Sequence, residues 1–290
     1  MVILWRATLL AALLLAVAVS VPTSLWGSHR RGEEAAVIYV APTLLKLASD
    51  AAEMLGHSGA DLRVIGSVAA LRLIQQGRVP DAYLTVDSEL IKEIRDKQFK
   101  RLILGHFKLH LVCKDLTSLQ GLGGVRIGVA DPNTAPIGYR ALAALYWLST
   151  QYGYLRLEEI EEGLSASFAK RGDGAVIIDV RGFSAHGRFA ARDDLAGVAS
   201  LFEAGAVDCI FAHTPFIVYK RYGERFNVME LPPEIQFAEN PPVRFLALTS
   251  VGEIEIKSFV AEVVSFSPAG DRFLAALERI DTSMYGLERY

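Results

Sequence analysis

Ile127-Gly-Val-Ala-Asp-Pro-Asn-Thr-Ala-Pro-Ile-Gly138 is the stretch that decides how this chain folds. Its first residues continue the run begun at Val125 and read as a short buried strand. Asp131-Pro132-Asn133 is turn chemistry. From Gly138 to Tyr152 the apolar residues recur at helical spacing. A strand that passes through such a turn into a helix leaves the first helical amides without intrahelical partners. Those amides carry the positive end of the helix dipole, so the site attracts anions without lysine or arginine.

The same grammar appears twice upstream. Val37-Ile-Tyr-Val40 is a strand, Ala41-Pro42-Thr43 follows it, and helical periodicity runs from Thr43 to His57. Leu62-Arg-Val-Ile65 is a second strand, Gly66-Ser67-Val68 follows, and a helix extends to Gln76. Ala82–Thr85 predicts a third strand, 88–97 a helix, and 101–113 one or two further strands. This β-α-β-α-β order predicts an α/β fold with a mainly parallel sheet. A second unit begins near Asp115 after the turn-rich 119–124. It carries strands over 125–129, 175–178 and 209–213, and a helix over 193–204. After the loop at Asn240-Pro241-Pro242, a strand is expected over 243–248 and helices over 254–266 and 269–280. Two α/β lobes with a ligand cleft between them are the expected architecture.

The 290 residues are 51% hydrophobic and 22% charged, a globular composition long enough for a large core. A net charge of −3 gives no general attraction to nucleic acid or anionic lipid. Cys113 and Cys209 lack metal-ligand spacing and sit in apolar runs. Buried free thiols are expected there, with a disulfide left open for an exported chain.

Residues 1–28 read as a signal peptide or membrane anchor. A basic Arg6 precedes an Ala/Leu/Val run to Val21, with Ala16-Val17-Ala18 as a cleavage context. No cysteine lies near the end of this run, which argues against a lipoprotein anchor. Residues 29–35 read as a polar spacer, so the body is expected to work outside the cytoplasm. Enzyme signatures are absent: there is no Gly-x-Ser-x-Gly elbow, phosphate loop or His-Glu-x-x-His helix.

From about Val37 to Gly270 the chain resembles the molybdate/tungstate-binding proteins that feed ABC importers. The resemblance is carried by Gly66-Ser-Val-Ala69, by Asp81 to Ser88, and above all by Ile127-Gly-Val-Ala-Asp-Pro132 with Pro136 and Gly138. Leu201-Phe-Glu-Ala-Gly205 before Val207-Asp208 adds to it. So, more weakly, do Glu230–Ile235 and Ser267-Pro-Ala-Gly270. It implies a two-lobed periplasmic-binding-protein fold of the second type, with lobe I over 36–115 and 242–290 and lobe II over 116–241. The chain would cross between lobes near 113–115 and 240–243. It implies an ABC permease and its ATPase as partners and an inorganic anion as ligand, with no other cofactor. A sulfate or other oxyanion receptor, or an anchored anion sensor, would share these features.

Carried over position by position, the resemblance implies anion contacts from the hydroxyls of Thr43 and Ser67 and the backbone amides of Ala135 and Ile137. Pro136 has no N–H to give. His213 stands where the bacterial branch commonly has tyrosine, with Thr214 beside it. The two carboxylates that expand metal coordination in the archaeal branch are replaced here by Ala135 and Ala212, which implies a tetrahedral dianion held by hydrogen bonds. Read singly, these residues carry less. Thr43 and Ser67 serve equally as helix caps, and His213 reads as a structural histidine. Arg140 and Arg181 read as surface arginines, and Tyr139 and Trp147 as core.

Overall fold

Val37 and its neighbours form β1 (Ala36–Val40), the centre of a parallel trio in the computed structural model, which describes residues 35–56, 59–94 and 100–289. β1 is flanked by β2 (Ala60–Val64) and β3 (Ala82–Thr85), both parallel to it. The crossovers carry α1 (Leu45–Met54) and α2 (Ser67–Gln75). α3 (Glu89–Lys92) leads towards β4 (Lys100–Phe107). The expected signal peptide or anchor and most of the spacer fall outside the described residues, as does the end of the helix expected over 88–97.

Lys108 alone separates β4 from β5 (Leu109–Cys113), which lies in a second sheet. That sheet also holds β6 (Ile127–Ala130), β9 (Phe189–Arg192), β10 (Cys209–His213) and β11 (Asn227–Glu230), in the order β11-β5-β10-β6-β9. β7 (Ser167–Lys170) and β8 (Val176–Asp179) join β12 (Phe245–Thr249) and β13 (Gly252–Ile256) in a third sheet. After Lys257–Ser258 the chain returns to the first sheet as β14 (Phe259–Ser265), antiparallel between β3 and β4.

The helix expected over 254–266 is therefore two strands. Along β13, Ile254 and Ile256 are buried while Glu253 is exposed and Glu255 half-buried, a period of two that helical spacing cannot satisfy. β14 is buried along its whole length, and a continuous apolar run does not by itself tell strand from helix.

α4 (Pro136–Tyr152) packs against β6 and β10 of the second sheet and against β8 of the third. Cover on both sides explains why it is buried almost all round. α5 (Leu157–Leu164) packs on α4. α6 (Leu195–Glu203) packs on β6, β9 and β10, and α7 (Thr214–Lys220) follows β10 directly. α8 (Pro268–Glu278) lies on the first sheet against α1. One hydrophobic core runs through the body, and Ala35–Tyr290 forms a single compact unit. No helix among the described residues is long and apolar enough to cross a membrane.

Cys113 and Cys209 are joined, which replaces the buried free thiols expected. They face each other directly in the antiparallel β5–β10 pair with Cα atoms 4.1 Å apart, and 96 positions separate them in the chain. Strand register made the pair, and nothing local in either run announces it.

Candidate functional site

Five helix starts converge on one small, partly open cavity. It is walled by Ala41, Pro42 and Thr43 before α1, by Gly66 and Ser67 at α2, and by Ala135, Pro136 and Ile137 at α4. Asp194 and Leu195 at α6 and His213 at α7 complete it with Val86. Each start follows a strand end, because strands β1, β2, β6, β9 and β10 all deliver their C-terminal ends to this side. The cavity volume is about 20 Å³. Pockets for organic ligands run to roughly 300 Å³ or more, so this space suits a compact inorganic group.

Of the six residues singled out from the sequence, Thr43, Ser67, Ala135, Ile137 and His213 line the cavity. Thr214 is not among the lining residues. Its hydroxyl accepts from the Lys108 amide at 3.2 Å and meets His110 Nε2 at 3.1 Å, so it anchors the passage between sheets.

The amides are not equally available. The Ala135 N–H donates to the Asp131 carbonyl at 2.9 Å, and Pro136 has none to give. The Val68 and Ala69 amides of α2 donate to the Thr134 carbonyl at 3.1 and 3.2 Å. Ser67 and Ile137 sit in first turns, where an amide has no carbonyl four residues back within its helix. The Ser67 hydroxyl accepts from Val86 N–H at 3.4 Å, a long bond that leaves its own proton to give. Gly66, not Ser67, is the N-cap of α2, and no side chain caps that helix.

Thr43 Oγ1 lies 2.9 Å from His213 Nδ1, joining the first half of the chain to the second across the cavity wall. Burial, reinforced by the charges of Arg140 and His110, holds His213 well below the usual imidazole range, so the ring is neutral. Its Nε2 is buried without a hydrogen-bond partner among the described residues. Phe107 and Phe259 hold the ring edge-on, with centroids 5.1 and 4.7 Å away.

Arg140 departs from the surface role expected of it. It is fully buried, with Nη1 2.7 Å from Asp87 Oδ2. Nε and Nη2 donate to the carbonyls of Lys257 and Ser258 at 3.0 and 3.3 Å, on the return passage to the first sheet. Tyr139 is core as expected and donates its hydroxyl to the same Asp87 oxygen. Arg140 is thus neutralised in place, and no lysine or arginine lines the cavity. Arg181 is exposed and paired with Asp179, in line with its sequence reading, and Trp147 packs on Phe245.

Asp194 is the lining residue that sequence reasoning missed. Its carboxylate caps α6, accepting from Gly197 N–H at 2.8 Å. The signal was present: an aspartate at the head of a predicted helix is the same helix-start pattern as the other three. Two larger hollows, of about 400 Å³ beside the Asp179–Arg181 pair and about 220 Å³ between α1 and α7, do not gather helix starts in this way. Among the described residues no cluster of three or more His, Cys, Asp or Glu could hold a metal.

The family model of bacterial extracellular solute-binding proteins matches residues 38–278. The chain belongs to that family. A search of the curated proteins finds none that matches. Among solved structures, this solute-binding protein is similar to the periplasmic molybdate-binding protein of Azotobacter vinelandii. That match has 16% identity and a TM-score of 0.56, over 88% of this chain and 99% of that one. It is also similar to Peb3 from Campylobacter jejuni, with 10% identity and a TM-score of 0.51 over 88% of this chain and 100% of that one. At such identities the likeness shows the fold, which is the two-lobed type II periplasmic-binding-protein fold. A solute-binding protein of this family acts outside the cytoplasm.

Proposed function

We propose that this solute-binding protein captures a tetrahedral oxyanion, molybdate or tungstate, and delivers it to an ABC permease and its ATPase. The observation that carries this reading is the convergence of helix starts from both halves on a cavity of about 20 Å³ without a lysine or arginine in its wall. Oriented amides and hydroxyls there stabilise a small dianion, while organic solutes find no room. The proposed donors are the Ser67 hydroxyl, the Ser67 and Ile137 amides, and one proton from the Thr43–His213 pair. With the ring neutral, either the Thr43 hydroxyl faces the anion while accepting from Nδ1–H, or Nε2–H faces it while Thr43 donates to Nδ1. Ala135 shapes the wall, and Thr214 supports His213 through the strand end they share. The role is capture rather than catalysis.

Closure would be a hinge motion of the first-sheet half (β1–β4 with β14 onward) against the half built on the second and third sheets, with the anion bridging the two. It would turn at Lys108 and Lys257–Ser258, in place of the crossings expected near 113–115 and 240–243. The liganded closed form then docks on the permease. An N-terminal anchor, where retained, would keep the receptor at the outer face of the membrane.

Asp194 favours a second reading. A carboxylate in the wall opposes a fully ionised guest and would accept a hydrogen bond from one that brings a proton, such as hydrogenphosphate. Calorimetric titration with tungstate, molybdate, sulfate and phosphate decides between them. Tight tungstate and molybdate binding with the others weaker by at least about a hundredfold, about 2.7 kcal/mol, supports the first reading. Equal sulfate binding makes the protein a broad oxyanion receptor, tight phosphate binding favours the second reading, and no binding refutes the oxyanion site.

A further inference from the structure

Gly66 has φ −56° and ψ 140°, a backbone conformation open to any residue. What excludes a side chain there lies across the cleft. A Cβ at position 66 would meet the Thr134 carbonyl oxygen at 2.5 Å and its carbonyl carbon at 3.2 Å. The same carbonyl oxygen accepts both the Val68 and Ala69 amides, at 3.1 and 3.2 Å. It therefore does for α2 what an N-capping side chain does elsewhere, and no side-chain cap exists on this helix.

Thr134 is itself held rigidly. Its amide donates to the Asp131 carbonyl at 3.0 Å, and its hydroxyl donates to the carbonyls of Asp131 and Asp193. Beside this contact, Arg72 of α2 donates to the Asn133 carbonyl at 3.2 Å and to the Ser250 hydroxyl. The bonds from Val68, Ala69 and Arg72 run between the first-sheet half and the remainder of the chain.

We propose that Gly66 and the Thr134 carbonyl form a backbone clasp that completes only when the cleft shuts, and that the missing side chain at 66 sets how far it shuts. The inference rests on the hinge-closing reading above and adds the stop of that motion. Two amides of α2 are consumed by the clasp, so the guest receives from α2 only what Ser67 offers. The start of α2 serves two tasks, one amide and one hydroxyl for the ligand and two amides for the opposing lobe. Opening would return the Val68 and Ala69 amides to water.

The test compares the full-length protein with Gly66→Ala by amide hydrogen exchange at Val68 and Ala69, with and without tungstate, and with Ser67→Ala as a companion. Gly66→Ala is expected to keep the fold and melting temperature of the open protein, since its own backbone accepts a methyl group. Exchange at the two amides in tungstate is expected to be at least about tenfold faster than in the native chain, a shift of about 1.4 kcal/mol, with tungstate affinity falling by a similar factor. Ser67→Ala is expected to weaken tungstate binding and leave both amides protected. Equal exchange in native and Gly66→Ala proteins overturns the clasp, as does failure of Gly66→Ala to fold. A native chain that ignores tungstate yet protects these amides better than Gly66→Ala does rejects the oxyanion reading and keeps the clasp.

Discussion

Thr43 Oγ1 and His213 Nδ1 meet at 2.9 Å although 170 positions separate them in the chain. The pair ties the turn before α1 to the end of β10, and both residues belong to the wall of the same cavity. A neutral imidazole makes the contact tolerable, because a charged ring buried there would lack a counterion. Two distant segments thus meet at the cavity through neutral polar side chains.

Removing a hydroxyl from the wall should weaken anion binding without unfolding the chain. Ser67→Ala and Thr43→Val are each expected to cost about 1.5–3 kcal/mol, the range for a hydrogen bond to a charged partner. That corresponds to roughly 10–150-fold in Kd, read by titration calorimetry with tungstate. Arg181→Gln, at an exposed pair that does not line the cavity, should leave the affinity unchanged.

Stability should fall on mild acidification. His213 is held well below its unfolded value near 6.5, so above that pH the ring is neutral in both states and adds no slope. Below it the unfolded chain binds a proton that the folded chain refuses, and stability drops until the depressed folded value is reached. Burial of His110 acts in the same direction. Denaturant midpoints at pH 7.5 and 5.5 measure the effect, and His213→Gln should flatten the difference by up to about 1.4 kcal/mol per pH unit. An undiminished slope in that variant would contradict a buried neutral ring.

Asp87→Asn should be strongly destabilising, by about 3–5 kcal/mol, because it leaves the fully buried Arg140 guanidinium without its counter-charge. Replacing both members, Asp87→Leu with Arg140→Met, should recover much of that loss, since neither desolvated charge then remains. Urea unfolding of the single and double variants provides the comparison.

The disulfide should be visible chemically and thermodynamically. Denatured protein should react with a thiol reagent only after reduction, at two sites, Cys113 and Cys209. Replacing both cysteines by alanine is expected to cost about 2–5 kcal/mol. The strand end at His213 lies four residues beyond the bridge, so tungstate affinity in the same variant reports whether β5–β10 pairing positions the ring.

Much of the site was legible locally. Ala41-Pro42-Thr43, Gly66-Ser67 and Ala135-Pro136-Ile137 each announce a helix start after a strand, and a helix start is a property of a few consecutive residues. Asp194 announces itself in the same way and was passed over. Arg140 was misread because a single arginine in a helix says nothing of a carboxylate 53 positions away. The stretch over 254–266 was misread because the strand or helix state of an apolar run is settled by what covers it.

The sequence by itself determined the α/β class, the succession of strand, turn and helix, and the chemical type of each donor, since these depend on neighbours within a turn or two. Only the tertiary structure decided which strands pair, that Cys113 faces Cys209, and that Thr134 caps α2 across the cleft. It also decided that Thr43 reaches His213 and that Asp87 neutralises Arg140. Those relationships join residues tens to nearly two hundred positions apart. They exist because burying apolar surface brings the strand ends to one side, where unpaired amides and charges must find partners or be left unsatisfied.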